Sequence, residues 1–310
     1  MDDPFRLDGA VAIVTGAGQG LGRAEALALA AAGARVVVND LPGDAVAQVA
    51  DEIKANGGES VVCTGDVGDW STGQSLLTCA TDTFGGLDIL VNNAGLLRDR
   101  MIFSMSAEEW DLVIRVHLRG HFITTRFATA YWRDRSKALG GPVDARIVNT
   151  SSEAFLLGSA GQPNYAAAKA GIVALTVATA RGCARYGVRA NAICPRARTA
   201  MTAELMGPAD DQSVDPLADP MAPEHVAPLV TYLASPASSR ITGEVFVVHG
   251  GVAAVLAPPT VRASFQADGP WSVASLHETI GTLFVEDPPR AGFVCEETLP
   301  LAASTFGEHS

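Results

Sequence analysis

Apolar residues in the first 250 positions follow two alternating patterns. Short, nearly continuous apolar runs end in glycine or a polar residue: "AVAIVTG" (10–16), "ARVVVND" (34–40), "SVVCTGDV" (60–67) and "LDILVNNAG" (87–95). Longer stretches of helical character lie between them: "LGRAEALALAAAG", residues 44–56 and residues 70–84. Continuous apolar runs predict strands buried on both faces, and strands alternating with helices predict a parallel sheet covered on both sides. Crossovers are then right-handed. The second half continues the pattern with a long helix over 106–132, a strand at "ARIVNTSS" (145–152) and a helix from Pro163 towards Gly187. A strand at "VRANAIC" (188–194), a helix over Pro223–Ala234 and a strand at "GEVFVVHGG" (243–251) complete it. The expected fold is α/β, a doubly wound parallel sheet of about seven strands.

Two segments break the alternation. "YWRDRSKALGGPVDA" (131–145) reads as a charged connection, and residues 252–310 as a proline-punctuated C-terminal extension to a domain over 1–251. Within the extension, "WSVASLHETIGTLF" predicts a helix capped by Ser272. The extension carries Val255, Leu256, Trp271, Leu283 and Phe284, too many apolar residues for a solvated linker. It is expected to pack over its own substrate cleft or a partner's.

Composition narrows the classes. Apolar residues make up 48% and charged residues 18%, enough for a substantial core. Net charge is −12, from 22 basic and 34 acidic residues with no basic stripe, which argues against nucleic acid and anionic membrane surfaces. No apolar run is long enough to span a bilayer. The start "MDDPFRLDG" does not read as a signal peptide. Five scattered cysteines without C-x-x-C spacing read as reduced thiols of a cytoplasmic protein, with no metal site.

"TGAGQGLG" (15–22) joins the first strand to the first helix. Gly16, Gln19, Gly20, Leu21 and Gly22 would bring backbone N–H groups at a helix N-terminus up to a pyrophosphate. Any strand-to-helix turn also favours glycine. Asp40 ends the second strand, where a carboxylate accepts adenosine ribose hydroxyls and repels a 2′-phosphate. No Lys or Arg stands beside it, so NAD is favoured over NADP. The alternative for Asp40 is a turn cap. In "QPNYAAAKAG" (162–171), Tyr165 and Lys169 stand four positions apart, on one helix face.

"TGAGQGLG", "NNAG" (92–95), a serine in "NTSS" and "YAAAK" occur in that order. Together they resemble the short-chain dehydrogenase/reductase family over most of residues 8–251. The resemblance implies a Rossmann-type domain and a catalytic set of Ser152, Tyr165 and Lys169, with Ser152 thirteen residues before the tyrosine. Tyr165 would exchange a proton with a carbinol or carbonyl oxygen, as base in oxidation and acid in reduction. Lys169 would favour the phenolate and hold the nicotinamide ribose. Ser152 would hydrogen-bond the substrate oxygen. Asn92 would brace the sheet, while Asn93, Ala94 and Gly95 pass the cofactor. Asp66 and Val67 resemble the pair that contacts adenine, although Asp66 also suits a helix N-cap.

Two departures stand out. His117, in "VHLRG", takes the place of the family's frequent Asn, and reads either as a proton relay or as a structurally hydrogen-bonded helix histidine. Pro195-Arg196 replaces the usual Pro-Gly in "NAICPRARTAMTAEL". There the resemblance assigns cofactor contacts to Arg198 and Thr199 and a substrate lid to "MTAELMG". Arg196 and Arg198 would otherwise meet an anionic substrate portion or form a solvated pair.

"VVVND", "VHLRG" and "AICPRARTAMT" are most similar to the (3R)-hydroxyacyl-CoA dehydrogenase branch. The implied activity is NAD-linked interconversion of a secondary alcohol and a ketone on a small-molecule substrate. Hydroxysteroid or terpenoid alcohols are the alternative, if Phe155, Leu156 and Leu157 line an apolar pocket. A non-catalytic NAD-binding sensor or scaffold is the alternative from another class. A homodimer or homotetramer is expected, paired through the long helix and the alanine-rich face of the Tyr/Lys helix.

Overall fold

The computed structural model describes residues 3–202, 219–259, 261 and 263–284. Seven parallel strands form where the apolar runs predict them: β1 (Val11–Thr15), β2 (Arg35–Asn39), β3 (Glu59–Val62), β4 (Ile89–Asn92), β5 (Ala145–Thr150), β6 (Val188–Pro195) and β7 (Val245–His249). An eighth strand, β8 (Val252–Val255), folds back antiparallel on β7, so the sheet continues past residue 251. The order is β3-β2-β1-β4-β5-β6-β7-β8. It reverses direction between β1 and β4, and ligand clefts of open α/β sheets form at such reversals, beyond the strand C-termini.

The two-residue period of each strand divides the core between the faces. Ala12 and Val14 of β1 pack on one side with Leu29, Ile53, Val226 and Leu233. That layer is built by α1 (Gly20–Ala31), α2 (Asp44–Ala55) and a later helix, Ala227–Ala234. Val11 and Ile13 pack on the other side with Leu76, Trp132, Ile147 and Ala180. There the layer is α3 (Trp70–Phe84), a long helical rod after β4, and the Tyr/Lys helix.

The rod differs from its prediction at two points. It consists of α4 (Ala107–Ile114), a five-residue π-helical turn Arg115–Arg119, and α5 (Gly120–Leu139). The charged stretch from Tyr131 onward is therefore helix up to Leu139, not a connection. Trp132 and Ser136 are its inward positions: the indole Nε1 donates to the Leu87 carbonyl at 2.7 Å, and Ser136 Oγ donates to Gly141 O at 2.8 Å. The charges on Arg133, Asp134 and Arg135 cover the outer face, which masks the helical period in the sequence. The helix stops at Gly140, whose φ of 69° closes a left-handed cap.

After β5, a short helix α6 (Ala154–Leu157) precedes α7 (Pro163–Cys183), which starts at Pro163 as predicted. α8 (Ala227–Ala234) and β7 follow the loop after β6. In the extension, α9 (Val273–Ile280) begins at Ser272, whose side chain accepts from Ser275 N at 3.0 Å in a reciprocal capping box. None of its residues is buried.

Candidate active site

A cleft of about 550 Å³ lies across the C-terminal ends of the strands. Its lining brings together Gly16, Gln19, Gly20, Leu21, Asp40, Asp66, Val67, Asn93, Ala94, Gly95, His117, Ser152, Tyr165, Lys169 and Thr199. All of these were candidates on sequence grounds.

The glycine loop is shaped by steric need. Gly20 has φ +55°, a conformation that side-chain-bearing residues rarely adopt. A Cβ on Gly22 would lie 2.2 Å from the Gly16 carbonyl oxygen and 2.5 Å from Asn93 Nδ2, so Gly22 lets the helix start pack against the loop. Asn93 in turn donates from Nδ2 to the carbonyls of Thr15 and Gly16, both at 3.1 Å. Asp40 Oδ2 accepts from Gly18 N at 2.8 Å and Oδ1 from Leu41 N at 2.7 Å. Its carboxylate therefore sits at the loop. Arg23, the nearest base in sequence, is turned to Glu52 at 2.8 Å. Asp66 does not cap α3: it accepts from Gly68 N at 2.8 Å and from Arg115 Nη2 at 2.5 Å. Arg115, which also reaches Asp69 at 3.1 Å, lines the cleft and carried no sequence signal of its own.

Asn92 braces the sheet beneath the site. Its amide donates to Asn149 Oδ1 at 2.9 Å and Thr125 Oγ1 at 3.2 Å, and its Oδ1 accepts from Thr124 at 2.6 Å.

Tyr165 sits between two basic side chains. Lys169 Nζ lies 5.2 Å from its ring centroid, and the His117 ring meets it edge-on at a centroid distance of 5.2 Å. Lys169 is buried and donates to the Thr150 carbonyl at 2.6 Å. Burial pushes its pKa down to about 7. His117 is buried on the π-helical turn, where its Nε2 lies 2.8 Å from Leu96 O and 3.0 Å from Leu96 N. Its Nδ1 is buried with no hydrogen-bond partner among the described residues. Burial, followed by the Lys169 charge, holds His117 well below the usual histidine range. One turn further on, buried His121 is pushed down to about 3 by the same two effects. Ser152 Oγ accepts from Ala154 N at 3.2 Å.

Other expectations are corrected. Arg198 does not line the cleft: it pairs with Asp219 at 2.9 Å, and its backbone N donates to Met221 O. Arg196 lines the cleft but is not half of a solvated pair. It is buried in a two-bond pair with buried Glu153, at 2.5 and 2.9 Å. Phe155 packs on Ala192, Cys194 and Val247, while Leu156 and Leu157 are exposed, so none of the three lines the cleft. No described residue beyond Thr202 lines it either, so the described part of the extension does not cover its own chain's cleft. The proposed lid "MTAELMG" lies outside the described residues apart from Met201 and Thr202.

The family model described as short chain dehydrogenase matches residues 10–208. The chain is 53% identical over 294 residues to the hydroxyacyl-CoA dehydrogenase ChsB1 of Mycobacterium tuberculosis, covering 93% of this chain and 92% of that protein. It is 42% identical over 260 residues to the peroxisomal multifunctional enzyme type 2 of Mus musculus, covering 81% of this chain and 33% of that protein. A crystal structure of a short chain dehydrogenase from Mycobacterium avium superposes with a TM-score of 0.83 at 47% identity, covering 93% of this chain and 99% of that one. With the family's motifs gathered round one cleft at a strand-order reversal, the chain belongs to the short-chain dehydrogenase family of oxidoreductases.

Proposed function

We propose that this protein is an NAD-dependent dehydrogenase that interconverts a secondary alcohol and a ketone on a 3-hydroxyacyl-CoA-type substrate. The observation that carries the reading is the single cleft with Tyr165, flanked by Lys169 and His117, and with Asp40 beside the glycine loop.

The residues fit a nicotinamide dinucleotide. The glycine loop leaves no room for side chains where backbone must approach a pyrophosphate at the start of α1. Asp40 suits ribose hydroxyls and opposes a 2′-phosphate, which favours NAD. Asp66 and Val67 would border the adenine and Thr199 the nicotinamide side. When bound, NAD supplies the carbon that takes the hydride.

The chain's own residues handle the proton. Ser152 holds the carbinol oxygen, and Tyr165 removes its proton as the carbonyl forms. Lys169 is costly to charge in its buried site, so a phenolate at Tyr165 and an ammonium at Lys169 stabilise each other. His117 stays neutral, its ring meets Tyr165, and its Nδ1 has no partner among the described residues, which suits it to pass a proton.

The acyl-CoA reading draws on the ChsB1 likeness and on the apolar cleft residues Leu96, Leu97, Leu112 and Met201. The steroid alternative loses its support with Phe155, Leu156 and Leu157 outside the lining. The test is a panel of (3R)-hydroxyacyl-CoA, hydroxysteroid and simple secondary alcohols with NAD and with NADP. Oxidation should be fastest with NAD and hydroxyacyl-CoA; faster turnover with NADP or with a steroid would overturn the corresponding part.

We also infer a cytoplasmic homo-oligomer. Exposed Ala167, Ala170, Ala174 and Ala178 leave a flat face on α7, and small side chains let helices approach closely. A closed pair would use this face twice. Light scattering should give a dimer or tetramer mass, and a monomer would refute it.

A further inference from the structure

Glu153 and Arg196 form a buried ion pair that the proton chemistry does not use. Their side chains are 2% and 5% exposed, so two charges sit where water cannot compensate either. Arg196 Nε donates to Glu153 Oε2 at 2.5 Å and Nη2 to Oε1 at 2.9 Å. Two parallel bonds to a planar guanidinium fix orientation as well as distance.

Both residues stand at informative points of the backbone. Glu153 follows Ser152 directly, beyond the last pair of the β5–β6 ladder, Thr150 with Ile193. Ser151 still donates from its backbone to Ile193 O at 2.7 Å, and after it the two chains separate. Arg196 follows the last residue of β6, and its backbone N donates to Val248 O of β7 at 3.0 Å. It leads through Ala197 into the loop that sets Thr199 against the glycine turn: a Cβ on Gly20 would lie 3.2 Å from Thr199 Cγ2. The pair thus bridges the gap that opens between the Ser152 turn and the loop facing the cofactor cradle. His249, at the end of β7, is held below the usual histidine range by burial and then by the Arg196 charge. It adds no second positive charge to compete for Glu153.

We propose that Glu153 and Arg196 are positioning residues: their buried two-bond pair fixes Ser152 relative to the loop that carries Thr199, and so sets the substrate oxygen against the cofactor. A pair kept only for stability is replaceable by apolar side chains of similar volume, often at no loss. A pair kept for position is not, because a displacement of about 1 Å at a reacting group costs about a hundredfold in rate.

The experiment rests on the dehydrogenase reading only for its kinetic arm. The double variant Glu153→Leu with Arg196→Met, in the full chain, should keep a melting temperature near the parent's. It should bind NAD within about threefold of the parent and turn over at least about tenfold more slowly, with KM little changed. Its crystal structure should show Ser152 Oγ displaced. Parental turnover, or an undisplaced Ser152, overturns the proposal. Should the double variant fail to fold, Arg196→Lys keeps the charge but loses the fork. A folded Arg196→Lys protein with parental kcat is equally fatal. If the parent oxidises no alcohol on the panel, the substrate reading fails by itself, and the position of Ser152 decides this proposal alone.

Discussion

The two ends of the cleft treat polar groups in opposite ways. At the glycine-loop end, carboxylates are supplied with donors before any ligand arrives: Asp40 holds two backbone N–H groups, and Asp66 holds one and a guanidinium. At the tyrosine end, buried bases go short. Among the described residues, Lys169 donates to the Thr150 carbonyl, and His117 Nδ1 and His121 Nε2 have no partner. The first arrangement holds charge in place without strain. The second makes charge expensive until the reaction itself supplies the opposite sign, which is how burial tunes groups for proton transfer.

The contrast is open to attack from both ends. Asp40→Ala should weaken NAD by about tenfold or more, the scale of a lost charge-assisted hydrogen bond, and narrow the gap to NADP. Calorimetric titration of both cofactors measures this, and an unchanged NAD-to-NADP ratio would remove Asp40 from cofactor choice. A second effect belongs to the starved end. Unfolded histidine takes a proton near 6.5, whereas folded His121 stays neutral down to about 3. Between these values the unfolded state binds more protons, so stability falls as pH falls, by up to about 1.4 kcal/mol per pH unit. His121→Asn removes that loss. In urea unfolding, the stability difference between parent and variant should therefore shift in the variant's favour from pH 6.5 to pH 4. A difference independent of pH would contradict the burial argument.

How much of this was legible in the sequence depended on how local each cause is. The seven parallel strands follow from apolar runs, and α7 from Pro163 and its alanines. The capped helix α9 follows from Ser272. Glycine spacing, Asp40 and the Tyr165–Lys169 step pointed to the cleft because each relation spans one turn or one βα unit. β8 was hidden because an edge strand with mostly exposed residues, "VAAV", has no buried run to betray it. The π-helical turn at Arg115–Arg119 adds a residue to a helix without changing its composition. The pairing of Arg196 was hidden for another reason: its partner Glu153 is 43 positions away, and only the strand order brings the two together.

The most direct test of the account is Tyr165→Phe, measured twice on one preparation. The variant keeps the ring between His117 and Lys169 but has no proton to transfer. NAD affinity should stay within about threefold of the parent while turnover falls by about a hundredfold to ten-thousandfold, the range of a lost general acid–base group. Turnover near the parent's, with NAD bound normally, would show that the proton leaves by another route and would contradict the assignment of the cleft's chemistry to Tyr165.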